Sequence, residues 1–182
     1  MNVSALETSR LLLAPLSPDD ADVAYPAFAD RGLWALMTGK PPASVEALRG
    51  EFTRLAAGCP RPGELWLNWL ARRRDDGALV GWHQATVTGA HADIAWVTFD
   101  AHRRRGYARE GAAAVIAWLS RTGVREVVAQ SDVRNGASFA TAASLGFEPD
   151  AGTISETLHG EATIDRVWRL RVGAWVEPGA SG

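Results

Sequence analysis

The sequence predicts one α/β domain in which an antiparallel meander of strands leads into a single parallel strand pair. The chain has 182 residues, which is enough for one domain with a full hydrophobic core. Three apolar runs, residues 65–71, 78–87 and 92–99, follow one another with short turns between them, and the Asp76-Gly77 pair is a hairpin signal. A long amphipathic helix then separates the third run from another apolar run at 124–131. A strand–helix–strand order of this length indicates a parallel crossover pair.

Local signals place the elements that precede the meander. Residues 10–15 form a first strand. Ser17, followed by Pro18 and two acids, has the pattern of a helix start. Ser44 caps a second helix over residues 45–57, which has apolar side chains along one face.

The end of the chain contains one more helix and a hairpin. Asn135 starts a helix of small residues, and residues 153–172 form a terminal hairpin. We therefore expect a single domain over 1–172. Residues 173–182 are polar and contain Gly and Pro, so we expect a flexible tail, with Trp175 as an exception that can dock.

Composition narrows the class of protein. The net charge of −2 gives no overall basic field, so nucleic acid is not an expected partner. The single Cys59 excludes an internal disulfide framework and a Cys-based metal cluster, and no metal site is expected. No run approaches the roughly 20 apolar residues of a membrane span, and the N-terminus lacks a signal-peptide pattern. We expect a cytoplasmic protein. Most of its eight tryptophans belong in the core, with a pocket or a homodimer face as the alternative.

The stretch from Phe99 to Leu119 carries the strongest functional pattern. It passes from an apolar strand through the basic loop Arg103–Arg105 and Gly106 into an amphipathic helix. The first turn of a helix has unpaired N–H groups and partial positive charge, and glycine lets the backbone approach a ligand closely. Together these features predict a phosphate or pyrophosphate site. The alternative is a solvated basic turn before an ordinary helix.

The spacing of this stretch carries a family resemblance. Arg103-x-x-Gly106-x-Ala108, after an apolar strand and before a helix of small residues, resembles the acetyl-CoA signature of the GNAT N-acetyltransferases. The longer run from Arg105 to Gly111, Arg-Gly-Tyr-Ala-Arg-Glu-Gly, is similar to the branch that contains the ribosomal-protein N-terminal acetyltransferases.

Other parts of the chain match the same branch in the same order. They are the opening strand with its cap at 10–20 and the segment Asn135-x-x-Ser138 followed by Leu-Gly-Phe147. The resemblance implies the GNAT fold, a twisted, mostly antiparallel mixed sheet with one parallel pair and helices on both faces. It places the cofactor between the fourth and fifth predicted strands.

The resemblance also implies acetyl-CoA as cofactor and names the residues that would hold it. The backbone N–H near Val97 would serve the thioester carbonyl, and the backbones of Val97 and Phe99 would bond the pantetheine. Asn135 would hold the pantetheine arm, a role compatible with capping its helix. The pyrophosphate would lie on Arg104, Arg105, Gly106, Tyr107, Ala108 and Arg109.

Acetyl transfer to an amine needs a bound thioester, a neutral amine, a stabilised oxyanion and a proton for the leaving thiolate. Much of the family places a tyrosine four residues before the Gly of Gly-Phe, where this chain has Ala142. The resembling branch implies instead that Ser138 is the proton donor. The alternative for Ser138 is a hydrogen bond at the helix start.

The base is implied less directly. The branch uses a glutamate on the strand after Gly-Phe, at the place of Leu158. Glu156 matches with a shift of one step, because alternate side chains share a face. The alternative is a surface glutamate on an edge strand. Asp93, His83 and a positioned water are weaker candidates.

The expected function is acyl transfer from acetyl-CoA to a primary amine, either a protein N-terminus or a small molecule. Candidate acceptor contacts, with core packing as the favoured alternative for each, are Trp34, Leu36, Met37 and Phe52. One rival is a non-catalytic CoA-binding or regulatory module. Another is a nucleotide-phosphate enzyme, which is weakened because no Lys-Ser/Thr follows the loop glycine.

Overall fold

The computed structural model describes residues 3–173, 175 and 177. Their backbone forms one mixed sheet of eight strands with four α-helices. The strands are β1 (Leu6–Glu7), β2 (Leu11–Pro15), β3 (Glu64–Arg73), β4 (Leu79–Thr88), β5 (His91–Thr98), β6 (Glu126–Asp132), β7 (Glu148–Leu158) and β8 (Glu161–Arg171). The helices are α1 (Ala21–Phe28), α2 (Val45–Ala56), α3 (Tyr107–Arg121) and α4 (Gly136–Ser144). Short 3₁₀ turns cover 18–20, 31–34 and 100–102.

The sheet order is β1-β2-β3-β4-β5-β6-β8-β7. All neighbouring pairs are antiparallel except β5 and β6, which confirms the predicted single parallel pair. Two elements differ from the prediction. The two-residue strand β1 is too short to show periodicity, and β7 begins at Glu148, five residues before the predicted hairpin, because it continues across a bulge between Pro149 and Thr153.

The predicted helix caps are confirmed. Ser17 and Asp20 form a reciprocal capping box, and the Ser44 hydroxyl accepts from the backbone N–H of Ala47. The Asn135 carboxamide accepts from the N–H of Ser138 at the start of α4. These caps define where each helix leaves the sheet, so they set the positions of the loops at its edge.

Helices cover both faces of the sheet, as predicted. On one face α3 packs over a core that includes Trp69, Ile94 and Ile116. On the other face α1 and α2 enclose a second core around Phe28 and Trp82. No helix among the described residues is long and apolar enough to span a membrane.

Part of the predicted tail is tied to the domain. Trp175 packs against the core beneath α3, and its indole Nε1 donates to the carbonyl of Leu145 at 3.1 Å. The rest of the expected flexible tail, residues 174, 176 and 178–182, lies outside the described residues.

One close packing contact seats α3 on the sheet. Gly111 lies directly over the fully buried imidazole of His83 in β4. A Cβ at Gly111 would come within 2.5 Å of Cε1 of His83 and still closer to Nε2. Glycine is therefore required at this turn of the helix because it makes room for the ring.

We expect Gly111→Ala to lower the free energy of unfolding by about 1–3 kcal/mol, because the added methyl overpacks the core against His83. Chemical denaturation measures the change. The matched control is Gly50→Ala in α2, where a Cβ meets nothing within 4 Å. Alanine is there expected to stabilise slightly, through its helix propensity. Equal effects of the two variants would contradict this account of Gly111.

Candidate functional site

A gap opens in the sheet where its two parallel strands diverge. The strands β5 and β6 pair only from His91 to Asp93 and from Glu126 to Val128. Beyond these residues β5 continues to Thr98 without β6 beside it, while β6 pairs along its other edge with β8 as far as Asp132. The predicted opening between these two strands is thus present in the fold.

The hydrogen bonds of β5 correct the predicted backbone register. The N–H of Phe99 donates to the carbonyl of Val80 at 3.0 Å, so the backbone N–H of Phe99 points toward β4. The backbone N–H and C=O groups of successive residues point to alternate edges of a strand. Those of Val97 therefore also point toward β4, where Val97 lies opposite Trp82. The backbone N–H and C=O groups that point into the gap belong to Trp96 and Thr98. Val97 and Phe99, which the resemblance implied as the pantetheine contacts, thus point their backbone groups at β4, one residue out of register with the groups that face the gap.

The basic loop lies at the mouth of this gap and presents unpaired amides. Arg104 and Gly106 have left-handed backbones, with φ of 59° and 81°. Gly106 is the N-cap of α3 and supplies no side-chain cap. Within the described part of the chain, the N–H groups of Tyr107 and Ala108 consequently start the helix without an acceptor. The geometry matches the anion site predicted from the sequence.

Four arginines around the loop differ in their surroundings. The exposed side chains of Arg104 and Arg105 form no ion pair among the described residues. Arg103 pairs with Asp100 at 2.8 Å, and Arg109 pairs with Glu177 of the C-terminal segment at 2.9 Å. The charges of Arg104 and Arg105 are therefore the ones placed to meet an anion from solvent. An acetyl-CoA pyrophosphate fits this combination of uncapped helix, left-handed glycine and exposed guanidinium groups.

The start of α4 supplies polar groups across the gap. Asn135 follows the end of β6 by three residues, and its side-chain oxygen caps the helix through the N–H of Ser138 at 3.1 Å. The capping role leaves the Asn135 amide NH₂ for a ligand. Ser138 is half-buried in the first turn of α4. Both predicted residues therefore lie on the same side of the gap.

Acidic side chains gather beside the gap on the face that α1 and α2 cover. Asp132 ends β6 and lies opposite Asp165 of β8, while Glu156 of β7 lies opposite Thr163 of β8. The Thr163 hydroxyl donates to Asp132 at 2.6 Å, which links the two pairs. Glu156 therefore faces the same surface as Asp132, on the edge strand β7.

The three carboxyl groups have different electrostatic surroundings. The Arg134 guanidinium and then the Thr163 hydroxyl hold the pKa of Asp132 well below its usual range, so Asp132 is a buried carboxylate. Burial, followed by the negative charges of Glu156 and Asp132, raises the pKa of Asp165 above its usual value. A carboxyl with a raised pKa is better matched to proton transfer near neutral pH. Sequence analysis missed Asp132 and Asp165, whose only signal was an acid within or ending an apolar strand.

The weaker base candidates do not reach the gap. His83 is enclosed beneath α3, where burial lowers the pKa to about 4, so it is a neutral core residue at physiological pH. Asp93 lies at the closed end of the β5–β6 pair, with Nε2 of His91 at 3.4 Å. Among the described residues no group of His, Cys, Asp and Glu could hold a metal ion.

The four candidate acceptor contacts divide into one core residue and three partly exposed residues. Phe52 is fully buried against Phe28, with ring centroids 5.4 Å apart, so it is core. Trp34 and Met37 are only partly buried on the same side, and Leu36 is also partly exposed. The Trp34 carbonyl accepts from Nε2 of His159 at 2.8 Å. The turn between β7 and β8 therefore contacts the α1–α2 connection.

Solved structures share this fold over nearly the whole chain. A GNAT acetyltransferase from Bacillus anthracis is 15% identical with a TM-score of 0.80, covering 92% of this chain and 98% of its own. RimL, a ribosomal L7/L12 alpha-N-protein acetyltransferase in complex with coenzyme A, is 16% identical with a TM-score of 0.83, covering 93% and 98%. The ribosomal-protein-S5-alanine acetyltransferase from Vibrio fischeri is 14% identical with a TM-score of 0.80, covering 95% and 99%. No curated protein sequence matches the chain.

The model of the acetyltransferase (GNAT) domain matches residues 10–148. This match spans β2, the diverging strand pair, the basic loop and both helices beside the gap. Acetyltransferases of this fold use acetyl-CoA, which is accordingly the cofactor of this chain. The chain belongs to the GNAT family of acetyltransferases.

Proposed function

We propose that this protein transfers the acetyl group of acetyl-CoA directly to a primary amine. The observation that carries the proposal is the gap between β5 and β6, into which Trp96 and Thr98 point their backbone groups beside the uncapped start of α3. An extended pantetheine arm needs such a free strand edge, and a pyrophosphate needs such a helix start.

The residues of the gap have separate roles in this proposal. Arg104, Arg105 and the N–H groups of the first turn of α3 bind the pyrophosphate, and the Asn135 amide orients the arm. The amides of Trp96 and Thr98 lie where they stabilise negative charge on a carbonyl oxygen. When bound, acetyl-CoA supplies the thioester that the amine attacks. No nucleophilic side chain of the enzyme is needed.

Proton transfer falls to groups on the two sides of the gap. Ser138 is our candidate for donating a proton to the leaving sulfur, and Glu156 for removing one from the amine. The raised pKa of Asp165 makes it a second candidate base on the same face. Glu156 and Asp165 lie on neighbouring strands, and the negative charge of Glu156 contributes, after burial, to the raised pKa of Asp165.

The acceptor is expected to be a cationic amine before it loses its proton. Arg134 pairs with Asp132, whereas Glu156 and Asp165 form no ion pair among the described residues. Their negative charge favours an ammonium group over a neutral or acidic acceptor. Ribosomal-protein N-termini are one such class, supported by the acceptors named for two structural neighbours, and small amines are the other.

Calorimetric titration with acetyl-CoA, followed by free-thiol release with a panel of amines and N-terminal peptides, tests the proposal. Saturable binding with turnover supports it. Binding without turnover of any amine would instead favour the non-catalytic CoA-binding module. ATP and NAD are controls, since a nucleotide-phosphate enzyme would bind them in preference.

We expect Gly106→Val to raise the Kd for acetyl-CoA by more than about tenfold, because a branched Cβ at φ 81° distorts the loop and blocks the pyrophosphate. Gly123→Val is the matched control. Gly123 follows α3 at its other end, with φ 95° and open space around it, so it carries similar strain away from the gap. An unchanged Kd for the Gly106 variant would remove the loop from the cofactor site.

We expect Glu156→Gln to lower kcat by about tenfold or more with little change in the Kd for acetyl-CoA, since it removes a base without touching the pyrophosphate loop. Glu148→Gln, at the exposed start of the same edge strand, is the control and keeps parent turnover. If Glu156→Gln keeps full turnover and Asp165→Asn loses it, Asp165 is the base.

We expect Ser138→Ala to lower kcat more than acetyl-CoA affinity, because the leaving thiolate loses its proton donor. Steady-state kinetics and calorimetry measure the two quantities separately. Ser144→Ala, at the exposed end of the same helix, is the control. Equal rates for Ser138→Ala and the parent would leave Ser138 with a structural role.

A further inference from the structure

We propose that Arg10 and Glu110 are positioning residues that hold the pyrophosphate loop in its binding conformation and thereby set the affinity for acetyl-CoA. Neither residue is placed in contact with the cofactor. This inference rests on the proposed cofactor site and adds to it a clamp between the first strands and the start of α3.

Glu110 is the anchor on the helix side. Its side chain is only 15% exposed, although it carries a charge. One carboxylate oxygen accepts from the Thr8 hydroxyl at 2.5 Å and from the Arg10 backbone N–H at 2.9 Å. The other oxygen accepts from Nε of Arg10 at 2.6 Å. The Ser9 hydroxyl adds a longer bond of 3.3 Å to the first oxygen.

These bonds dominate the ionisation of Glu110. Burial alone pushes its pKa up, but the hydrogen bonds from Thr8 and Arg10 outweigh burial and lower the pKa. Glu110 is therefore charged, and its charge is satisfied by the turn between β1 and β2. This turn is about one hundred residues away in sequence, so the contact joins two otherwise separate parts of the chain.

Arg10 connects Glu110 to the loop. Its Nη1 donates to the carbonyl of Arg105 at 3.0 Å, and its guanidinium lies over the Tyr107 ring at 4.9 Å. A Cβ at Gly106 would lie 3.3 Å from its Nη2. One guanidinium thus contacts Arg105 of the loop and Tyr107 of the first helical turn, and it leaves little room for a side chain at Gly106 between them.

The direction of the Arg105 carbonyl is what makes the clamp matter for binding. A carbonyl oxygen turned toward a pyrophosphate would repel it. The hydrogen bond from Arg10 instead holds the Arg105 carbonyl oxygen against the Arg10 guanidinium. The amides of Tyr107 and Ala108 are then left free for the anion. A rigid fork of donors is needed to hold a carboxylate and a carbonyl together, and only arginine has one.

The inference is tested with Glu110→Gln, Arg10→Gln and Arg10→Lys in the full chain. The control is Arg74→Gln. Nη1 of Arg74 donates to the Thr8 carbonyl at 2.7 Å, so Arg74 holds the same turn, but it makes no contact with the loop. Calorimetry gives the Kd for acetyl-CoA. Turnover of acetylpantetheine, which has the thioester arm but no pyrophosphate, is measured on the same variants, and thermal unfolding checks that each is folded.

We expect each of the three clamp variants to raise the Kd for acetyl-CoA by about tenfold, while acetylpantetheine turnover stays at the parent level. Arg74→Gln leaves both quantities unchanged. The double variant Arg10→Gln/Glu110→Gln is expected to be no worse than the more severe single variant, because the two residues act as one unit.

Two results would overturn the inference. One is an unchanged Kd for acetyl-CoA in folded Glu110→Gln and Arg10→Gln. The other is an equal loss with acetyl-CoA and acetylpantetheine, which would indicate general damage to the domain. If the parent binds acetyl-CoA but turns over no amine, the proposed enzyme activity fails, and the Kd comparison still decides the inference.

Discussion

The early end of pairing between β5 and β6 is the constraint on which the rest of the site depends. A sheet interior normally pairs every backbone donor and acceptor, because an unpaired group away from water is costly. Here β6 uses its far edge for β8, while its near edge leaves β5 after three pairs. The polar groups of Trp96 and Thr98 are left facing an opening in the middle of the fold. A ligand with amides of its own, as the pantetheine arm has, can fill that opening without breaking the sheet.

The helix α3 must begin at the mouth of this opening for the cofactor to be held at both ends. Two consecutive residues secure it in different directions. Glu110 reaches the turn before β2, and Gly111 sits on the imidazole of His83. The first contact holds the loop from outside, and the second holds the helix against the sheet from within. These two adjacent residues therefore fix the position of the helix on the sheet, and one of them also carries a negative charge.

The two faces of the gap carry opposite charges. The α3 side carries positive charge and free amides, which suit a pyrophosphate. The opposite face carries Asp132, Asp165 and Glu156 on three neighbouring strands, which suit an amine. Asp132 is held as a carboxylate by Arg134, while Asp165 is pushed toward its neutral form by burial and by its neighbours. In the proposed function, such an asymmetric distribution of charge suits an anionic donor on one side of the opening and a cationic acceptor on the other.

Local sequence was sufficient to determine much of this protein. The caps at Ser17, Ser44 and Asn135 and the period of α3 depend on interactions within a few residues, so they were predictable. The parallel pairing of β5 and β6 was predictable because a connection with so long a helix favours a parallel crossover. The spacing of Arg103, Gly106 and Ala108 indicated the family through its resemblance to the GNAT acetyl-CoA signature, and the family model confirms that membership. What only the tertiary structure decided depends on contacts between distant segments. The tertiary structure determines that the backbone groups of Trp96 and Thr98, and not those of Val97 and Phe99, point into the gap, because the direction of each hydrogen bond depends on which strand pairs with which edge. It also brought Asp132, Asp165 and Glu156 to one face, because strand order, not chain order, determines which side chains become neighbours.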